Sequence, residues 1–335
     1  MSEAPLSIAI HPSEFSEGLR SGLLQGLRQR RLPAKWLYHS PAQAQRWLAY
    51  HQAFSPSRSS RGVAALYGRA FARAAQTRGA GPLNTVGLGC GGGTKDARLL
   101  AALARARPGV APLHYTPVDG SPALVAEAAG RVRRQHPTLR CHPLVADLTP
   151  GRAAAGGPAL DEWLAQTAGE MPRLFSCLGM LANFELQPFA AWLGGLVRRG
   201  DGLLLSANLS PGGFAKDAAP ILAQYDNPPA REWYWGALAE LGFARADLAL
   251  SVATTPPDAA GVWRIVVSAR LQNEVTLTLF GESLNFAQGE QLEVFFSNRL
   301  SLGALQNLLA QNGLHCGQPW LDPSGEEGIF LCEKS

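Results

Sequence analysis

Charged residues are scarce in this sequence, and the two signs nearly balance. They make up 17% of the 335 residues, and the net charge is only +4. Arginine greatly outnumbers lysine, but only two short basic clusters occur, at residues 28–31 and 131–134, both in helix-like segments. A nucleic-acid-binding surface needs a continuous basic stripe with interleaved aromatic residues, and the sequence contains none. The composition therefore predicts a globular protein without a nucleic-acid partner.

Cysteine is also rare, and no two cysteines form a C-x-x-C pair. An odd number at wide spacing argues against both a disulfide framework and a structural zinc site. The histidines share no common spacing either, so we predict that no metal is bound. The five cysteines are Cys90, Cys141, Cys177, Cys316 and Cys332.

Long apolar runs are missing as well. No run reaches the ~18 residues that a membrane-spanning helix requires. The N-terminus lacks a charged segment followed by an apolar one, so no signal peptide is expected. Hydrophobic residues still make up 46% of the chain, which is ordinary for a globular protein. We therefore predict a soluble, cytoplasmic protein without membrane contact, long enough for two substructures.

Between residues 84 and 206 short apolar strands alternate with helices. This alternation is typical of the α/β class, with a mostly parallel sheet and helices on both faces. Three further strands, at 263–270, 274–280 and 291–296, follow one another without helices, which predicts an antiparallel meander in a second, α+β lobe. The segment 302–332, a helix and then a strand, suggests a return to the parallel sheet.

A glycine-rich turn at residues 89–93 (GCGGG) ends the first strand. Glycines there let a ligand approach the backbone where a Cβ would collide, and open α/β sheets bind ligands at this edge. Asp119 and Asp147 end the next two strands, where carboxylates suit a ribose diol and an adenine amine. These three features together predict a nucleoside-containing cofactor. Thr94 occupies the last position of the dinucleotide pattern G-x-G-x-x-G, and no triphosphate-binding motif occurs, so both of those ligand classes are disfavoured.

Eight short segments spread over most of the chain carry a further pattern. They are residues 35–38 (KWLY), 88–95 (LGCGGGTK), 115–119 (YTPVD), 178–184 (LGMLANF), 200–205 (GDGLLL), 225–226 (YD), 286–290 (FAQGE) and 320–323 (WLDP). Together they resemble the histidine-specific methyltransferase family of the ergothioneine pathway. The resemblance implies a Rossmann-like class I methyltransferase core that binds S-adenosylmethionine, joined by a second lobe that binds the substrate.

This family resemblance also suggests domain boundaries and a cofactor site. We expect the core at 60–215 plus 300–335 and the substrate lobe at 8–59 plus 216–299. Five residues match cofactor-binding positions of the family. Tyr38 and two residues next to strand ends complete the candidate cofactor site. The matching residues are Gly89, Gly91, Lys95, Asp119 and Asp147, and the added ones are Leu148 and Gly179.

For the methyl acceptor, the resemblance points to three polar side chains. Tyr38 matches a tyrosine near both cofactor and substrate, Asn183 an asparagine that holds the substrate's α-amine, and Tyr225 a tyrosine that holds its carboxylate. Tyr38 and Asn183 are therefore our candidate catalytic residues, which would orient an uncharged amine for attack on a methyl carbon.

The sequence departs from the family pattern at two acceptor positions. Phe54, in Phe54-Ser55-Pro56, replaces a carboxylate-binding tyrosine. Phe295 stands at the acid of an E-x-S motif whose serine is matched by Ser297, and in the family that pair grips the imidazole. Losing a hydrogen-bonding acid from such a pocket costs heavily. We therefore expect an N-methyltransferase for an amino acid or related small amine less polar than histidine. Histidine itself, an oxygen or carbon nucleophile, and a non-catalytic nucleoside-binding protein are the alternatives.

Overall fold

The computed structural model describes residues 6–54, 60–79, 81–107, 112–150 and 159–334. Within these ranges the helices are α1 (Ser16–Arg28), α2 (Pro41–Phe54), α3 (Arg61–Thr77), α4 (Thr94–Ala106), α5 (Pro122–Gln135), α6 (Leu160–Ala168), α7 (Leu186–Leu196), α8 (Phe214–Leu222), α9 (Pro228–Glu240) and α10 (Leu302–Gln311). The strands are β1 (Ala9–Ile10), β2 (Leu83–Leu88), β3 (Leu113–Asp119), β4 (Arg140–Cys141), β5 (Leu144–Val145), β6 (Arg173–Leu178), β7 (Gly202–Asn208), β8 (Leu248–Thr254), β9 (Trp263–Leu271), β10 (Val275–Leu279), β11 (Glu282–Phe286), β12 (Gln291–Arg299), β13 (Leu314–Cys316), β14 (Trp320–Leu321) and β15 (Glu327–Lys334).

A large twisted sheet forms the centre of the molecule, in the order β1-β5-β3-β2-β6-β7-β15-β13. The strands from β1 to β7 in this order pair in parallel, and β15 pairs antiparallel with β7. All six residues of β2 are buried, as expected for a parallel strand with both faces covered. Helices α3 and α4 pack on one face, and α7 and α10 on the other, around apolar side chains of the strands.

A second, antiparallel sheet has the order β12-β9-β8. Residues of β9 alternate between buried and partly exposed positions, so one face of this sheet is packed and the other is not. On the packed face, Leu23, Leu24 and Leu27 of α1 contact side chains of α9 and of the strands, Trp233 and Leu292 among them. The N-terminal helices and the late strands therefore share one hydrophobic core.

The predicted α/β class, with a mostly parallel sheet and a second α+β lobe, is confirmed. The meander is more complex than expected, because β10 pairs with β11 and not with β9. A two-residue loop, Phe280-Gly281, joins these two strands, and both residues have positive φ angles, 54° and 80°. This geometry matches the right-handed twist of a hairpin, but phenylalanine is an unusual residue in it, so the turn was not evident from sequence.

Two other expectations about the C-terminal region are corrected by the strand pairing. The last strand returns to the large sheet antiparallel to its neighbour, not parallel. Cys316 and Cys332 form a disulfide, although spacing argued against a disulfide framework. They stand opposite each other in the β13–β15 pair, a cross-strand contact that the spacing alone did not reveal. The other three cysteines are free.

In the parts of the chain that the structure describes, no helix is long and apolar enough to cross a membrane. The same parts contain no cluster of three or more histidine, cysteine or carboxylate side chains that could hold a metal ion.

Candidate functional site

A cavity of about 440 Å³ opens beside the carboxyl ends of the parallel strands β2, β3, β5 and β6. Residues of the large sheet, of β12 and of the N-terminal helices all line it. Its volume lies in the range of small-molecule pockets, and its position is the usual ligand site of open α/β sheets.

The glycine-rich turn between β2 and α4 forms the floor of this cavity. Gly89, Gly91 and Gly93 all have positive φ angles, 60°, 51° and 69°, which residues other than glycine rarely adopt. A Cβ at Gly89 would overlap the side chain of Met180, and one at Gly91 would lie 2.8 Å from the Trp47 ring. The backbone thus runs close to its neighbours, and the N–H groups of Cys90, Gly91 and Gly93 are hydrogen-bonded within the protein.

Asp119, the last residue of β3, faces this turn. Its carboxylate accepts hydrogen bonds from the backbone N–H of Gly91 at 3.1 Å and of Ser121 at 3.0 Å. Burial raises the pKa of the Asp119 carboxyl from 3.8 to about 6, although these backbone donors oppose the rise. The group therefore changes its charge in a mildly acidic range.

Asp147, which follows β5, lies beside two charged residues of the N-terminal segment. Lys35 Nζ contacts both Glu14 carboxylate oxygens at 2.8 Å and an Asp147 oxygen at 3.7 Å. All three side chains are at most 8% exposed. Ser13 also accepts a hydrogen bond from the Asp147 backbone N–H at 3.0 Å, and the next residue, Leu148, is buried in the same wall. The N-terminal segment thus closes this end of the cavity.

Lys95 and Gly179 line the cavity on the side of the glycine turn away from Asp147. Lys95, in the first turn of α4, donates a hydrogen bond from Nζ to the Tyr67 hydroxyl at 2.9 Å, and that hydroxyl donates to Glu327. Gly179 follows β6 with φ at 98°, and a Cβ there would lie 4.0 Å from Lys95 Nζ. A cation therefore stands next to the exposed backbone at this end.

Tyr38 and Asn183 approach the cavity from different elements. Tyr38 follows the 3-10 helix Ala34–Leu37, and its ring packs against Trp47 and Trp233 with centroid distances of 5.7 and 5.4 Å. Asn183 ends the 3-10 helix Leu181–Asn183, beside β12. Among the described residues, neither the Tyr38 hydroxyl nor the Asn183 carboxamide has a hydrogen-bonding partner. Both polar groups are thus available to a ligand.

Aromatic rings form the wall contributed by β12 and α9. The Phe295 ring lies 6.0 Å from Tyr225, 5.9 Å from Tyr234 and 5.6 Å from Trp233. Phe295 is only 7% exposed. A bulge at this point of β12 turns Glu293 away, to an ion pair with Arg31 at 2.9 Å. The cavity therefore has an apolar side chain here and no acid from this strand.

A polar cluster continues from this wall. The Tyr225 hydroxyl lies 3.1 Å from Ser297 Oγ, and Arg299 donates to both, at 2.7 Å to the tyrosine and 2.8 Å to the serine. Ser297 is fully buried and does not line the cavity itself, whereas Tyr225 and Arg299 do. Ser297 thus does not contact the cavity directly, but its hydrogen bonds hold the Tyr225 hydroxyl and the Arg299 guanidinium that do.

Phe54 lies at the end of α2, near the mouth of the cavity. Its ring is 5.6 Å from Tyr50, and the residue is 39% exposed. Ser55 and Pro56, which complete the motif predicted from sequence, lie outside the described residues.

All the candidate site residues named from the sequence line this one cavity, except Ser297. Sequence reasoning missed Arg299, the Glu14–Lys35 pair and the aromatic residues Trp47 and Tyr50. Arg299 could have been found from strand alternation, because it follows Phe295 and Ser297 at intervals of two residues on β12 and so shares their face. Glu14 carries no comparable pattern.

Solved structures similar to this one include several methyltransferases. The 1,6-didemethyltoxoflavin-N1-methyltransferase of Burkholderia thailandensis is 13% identical, with a TM-score of 0.41 over 100% of this chain and 93% of its own. Magnesium protoporphyrin IX methyltransferase of Synechocystis is 14% identical, with a TM-score of 0.40 over 89% and 96%. A sugar N-methyltransferase of Streptoalloteichus is 18% identical, with a TM-score of 0.36 over 85% and 92%. No curated protein sequence matches the chain.

A family model gives the decisive comparison. The model of the histidine-specific, S-adenosylmethionine-dependent methyltransferases matches residues 19–334, which is nearly the whole chain. The site described above, with its glycine turn and strand-end carboxylates, lies inside this match. The protein is therefore a methyltransferase that uses S-adenosylmethionine, and it belongs to the family of histidine-specific methyltransferases.

Proposed function

We propose that this enzyme methylates the amine of an amino acid or a related small molecule that is less polar than histidine. The observation that carries the proposal is Phe295, which stands at the position of an acid among aromatic rings, in the same cavity as two unpaired polar groups suited to an amine. The proposal rests on how the cavity divides between the cofactor and the methyl acceptor.

The cofactor end fits S-adenosylmethionine. A Cβ at Gly89 or Gly91 would collide with side chains that line the cavity, so glycine is required in its floor, and Asp119 offers a carboxylate to a ribose diol. Asp147 would accept from the adenine amine, with Leu148 against the ring, and Lys95 near Gly179 would pair with the methionine carboxylate. When bound, the cofactor supplies an electrophilic methyl group on a sulfonium.

Asp119 makes cofactor binding dependent on pH. We expect the affinity for S-adenosylhomocysteine to fall by up to about tenfold per pH unit below about 6, because protonation removes the carboxylate that accepts the ribose hydroxyls. The effect on the free protein has the opposite sign. Since the folded pKa is raised, the stability contributed by Asp119 is present at low pH and is lost as the pH rises through about 6.

Calorimetry across this pH range measures how the affinity for S-adenosylhomocysteine changes with pH. Thermal unfolding over the same range measures how the stability of the free protein changes. The matched variant is Asp119→Asn, which keeps the shape and removes the titrating proton. We expect weaker binding by this variant and flat profiles over the same range. An unchanged pH profile in Asp119→Asn would exclude Asp119 as the titrating group.

At the acceptor end, Asn183 and Tyr38 are the groups that would orient the nucleophile. The carboxamide oxygen of Asn183 can accept an N–H, which turns the nitrogen lone pair toward the methyl carbon. Burial near Asp119 raises the pKa of the Tyr38 phenol far above its ordinary value, so this hydroxyl stays protonated at neutral pH. Tyr38 therefore orients the acceptor and does not serve as its base, and the amine has to enter uncharged.

The aromatic wall sets the polarity of the acceptor. An imidazole against Phe295 would lose a hydrogen-bonding partner, whereas an apolar side chain would bury its surface there. Histidine remains the second candidate, because the matching family model is histidine-specific. An oxygen or carbon nucleophile is the third.

A methylation panel with mass detection of one added methyl group tests this proposal. We expect turnover of L-phenylalanine or L-leucine to exceed that of L-histidine by at least roughly tenfold. This ratio corresponds to the free energy of burying about two methylene groups. The variant Phe295→Glu should improve histidine turnover, and Phe295→Gln, of similar shape to the glutamate but uncharged, should improve it less. Methylation of hydroxyl compounds alone would refute amine methylation, and a preference for histidine in the unmodified enzyme would refute the apolar acceptor.

The domain boundaries and the cytoplasmic location predicted from sequence remain our proposals. The shared core of α1, α9 and the antiparallel sheet supports a lobe built from 8–59 and 216–299. Ala9–Ile10, however, pairs with β5 of the large sheet, so the first residues of that range contact the core.

A further inference from the structure

Asn298 connects the second sheet to the loop that carries Asn183. It lies in β12, it is fully buried, and its Nδ2 donates a hydrogen bond to the Phe184 carbonyl at 2.7 Å. Phe184 follows Asn183 directly, at the end of the 3-10 helix Leu181–Asn183, and both residues line the cavity. A side chain of the second sheet thus bonds the backbone next to a candidate catalytic residue.

Packing alone does not account for the Asn298 side chain. Its Oδ1 is buried and has no hydrogen-bonding partner among the described residues. A buried acceptor without a partner lowers stability, and a leucine of similar volume would avoid that cost. The role of the side chain therefore lies in its donor, which bonds the Phe184 carbonyl.

The backbone attaches β12 to the large sheet independently of this side chain. Just beyond the strand, Leu300 forms a bridge with Leu209, and its carbonyl accepts a hydrogen bond from the Ser210 backbone N–H at 3.0 Å. Because this connection already joins the two sheets, the contact made by the Asn298 side chain chiefly fixes the loop.

The Asn183 loop has few bonds of its own. The Asn183 backbone N–H donates to the Met180 carbonyl at 2.9 Å, and the Phe184 N–H donates to the Leu181 carbonyl at 3.4 Å. A single turn of 3-10 helix has poorer hydrogen-bond geometry than an α-helix. The direction of the Asn183 side chain therefore depends on contacts from outside the loop.

A second contact holds the loop from the same face of the sheet. Glu185 forms an ion pair with Arg264 of β9 at 2.5 Å, and Arg264 stands directly opposite Asn298 in the β9–β12 pair. Residues directly opposite each other in an antiparallel pair share one face. This face thus holds residues 184 and 185 together.

We propose that Asn298 is a positioning residue, which sets the direction of the Asn183 carboxamide through the Phe184 carbonyl. The proposal rests on the role of Asn183 in amine methylation and adds a residue from another element to the same step. Strand alternation places Phe295 and Asn298 on opposite faces of β12. One strand then carries the apolar wall of the cavity and also holds the polar group that orients the amine.

A double-mutant cycle tests this indirect role, with whichever of L-phenylalanine and L-histidine the enzyme methylates faster. We expect Asn298→Leu to lower kcat by about tenfold or more, because a small displacement of a positioned group is costly. In the Asn183→Leu background the same substitution should change kcat by less than about twofold, since the group through which it acts is gone. Calorimetry should show that Asn298→Leu changes the affinity for S-adenosylhomocysteine by less than about twofold.

Asn84→Leu is the matched control. Asn84 is another buried asparagine, 1% exposed, and its Oδ1 accepts a hydrogen bond from the Thr116 hydroxyl at 3.1 Å. It lies near the start of β2, at the end of the strand away from the cavity. We expect this variant to lose stability but to keep kcat within about twofold of wild type, which separates positioning from a general effect of core substitution.

Hydrogen exchange examines the loop without any methyl acceptor. In Asn298→Leu the backbone amides of Asn183 and Phe184 should exchange at least about tenfold faster than in wild type, and in Asn84→Leu they should not. If Asn298→Leu does not fold, Asn298→Ser takes its place in both experiments. Its hydroxyl is one bond shorter than the carboxamide and does not reach the Phe184 carbonyl.

An unchanged kcat in the Asn298 variant, or an equal fall with and without Asn183, would overturn the proposal. Unchanged exchange at the two amides would do so as well. If the wild-type enzyme methylated no amine, amine methylation would be refuted, and the exchange rates would still decide whether Asn298 holds the Asn183 loop.

Discussion

Replacing Asn183 by leucine is expected to lower kcat by roughly 10²- to 10³-fold, the range associated with losing a positioned polar group near a reacting nitrogen. Leucine keeps most of the volume of the side chain but removes the carboxamide oxygen that would hold the amine. Binding of S-adenosylhomocysteine should be unchanged, because we propose that Asn183 contacts the acceptor and not the cofactor. Steady-state kinetics with calorimetry separates the two effects.

The control for this variant is Gln187→Leu. Gln187 is an exposed amide four residues further along the same segment, and it hydrogen-bonds Asn312 away from the cavity. It should retain wild-type kcat. Asn183→Leu with kcat within about threefold of wild type would remove Asn183 from the catalytic site, since a positioned group is worth far more than that.

Replacing Gly93 by valine should destabilise the fold by about 3 kcal/mol or more, through left-handed strain and steric overlap together. Gly93 precedes α4 with φ at 69°, and a Cβ there would lie 2.7 Å from the Ala128 Cα of α5. The nearest atom belongs to the α5 backbone, which cannot move aside as the end of a flexible side chain can. The free energy of unfolding in urea measures the loss.

A glycine in open surroundings provides the comparison for this loss of stability. Gly195, near the end of α7, would meet nothing within 4 Å if it gained a Cβ. We expect Gly195→Ala to stabilise the protein by about 0.5 to 1 kcal/mol, because alanine restricts the unfolded chain. A cost below about 1 kcal/mol for Gly93→Val would mean that the turn tolerates side chains.

The meeting of the glycine turn, Asp119 and Asp147 in one cavity could be predicted from sequence because it depends on local features. The glycine turn, Asp119 and Asp147 each follow a strand directly, and parallel strands bring their carboxyl ends to one edge without any knowledge of long-range contacts. The central strands themselves were evident because burial on both faces produces short, continuous apolar runs.

Elements of the second lobe were harder to predict. In α9 the buried side chains spread around the helix, Trp233 and Leu238 among them, so the amphipathic period that marks a helix is weak. Pairing of β10 with β11 depended on an unusual turn residue, Phe280. Tertiary contacts, not local sequence preference, decide the structure of these segments.

The buried contact of Glu14 and Lys35 with Asp147 could not be predicted from spacing. Glu14 and Lys35 are 21 residues apart, and Asp147, which Lys35 also contacts, is much further along the chain. Nothing in the local sequence of Glu14 distinguishes a buried carboxylate from a solvated one. Only the pairing of β1 with β5, which brings the N-terminal segment to this edge, shows that the three meet.

The shared core of α1, α9 and β12 has a consequence for biosynthesis. Leu23 and Leu27 leave the ribosome long before Trp233 and Leu292, the partners that cover them. Contacts this distant in sequence form slowly, and until they form the apolar face of α1 is exposed. Strands β2 to β7 of the large sheet are synthesised in between and can pair first. We expect a nascent chain truncated before residue 228 to be prone to aggregation and to depend on chaperones until the residues that cover α1 are complete.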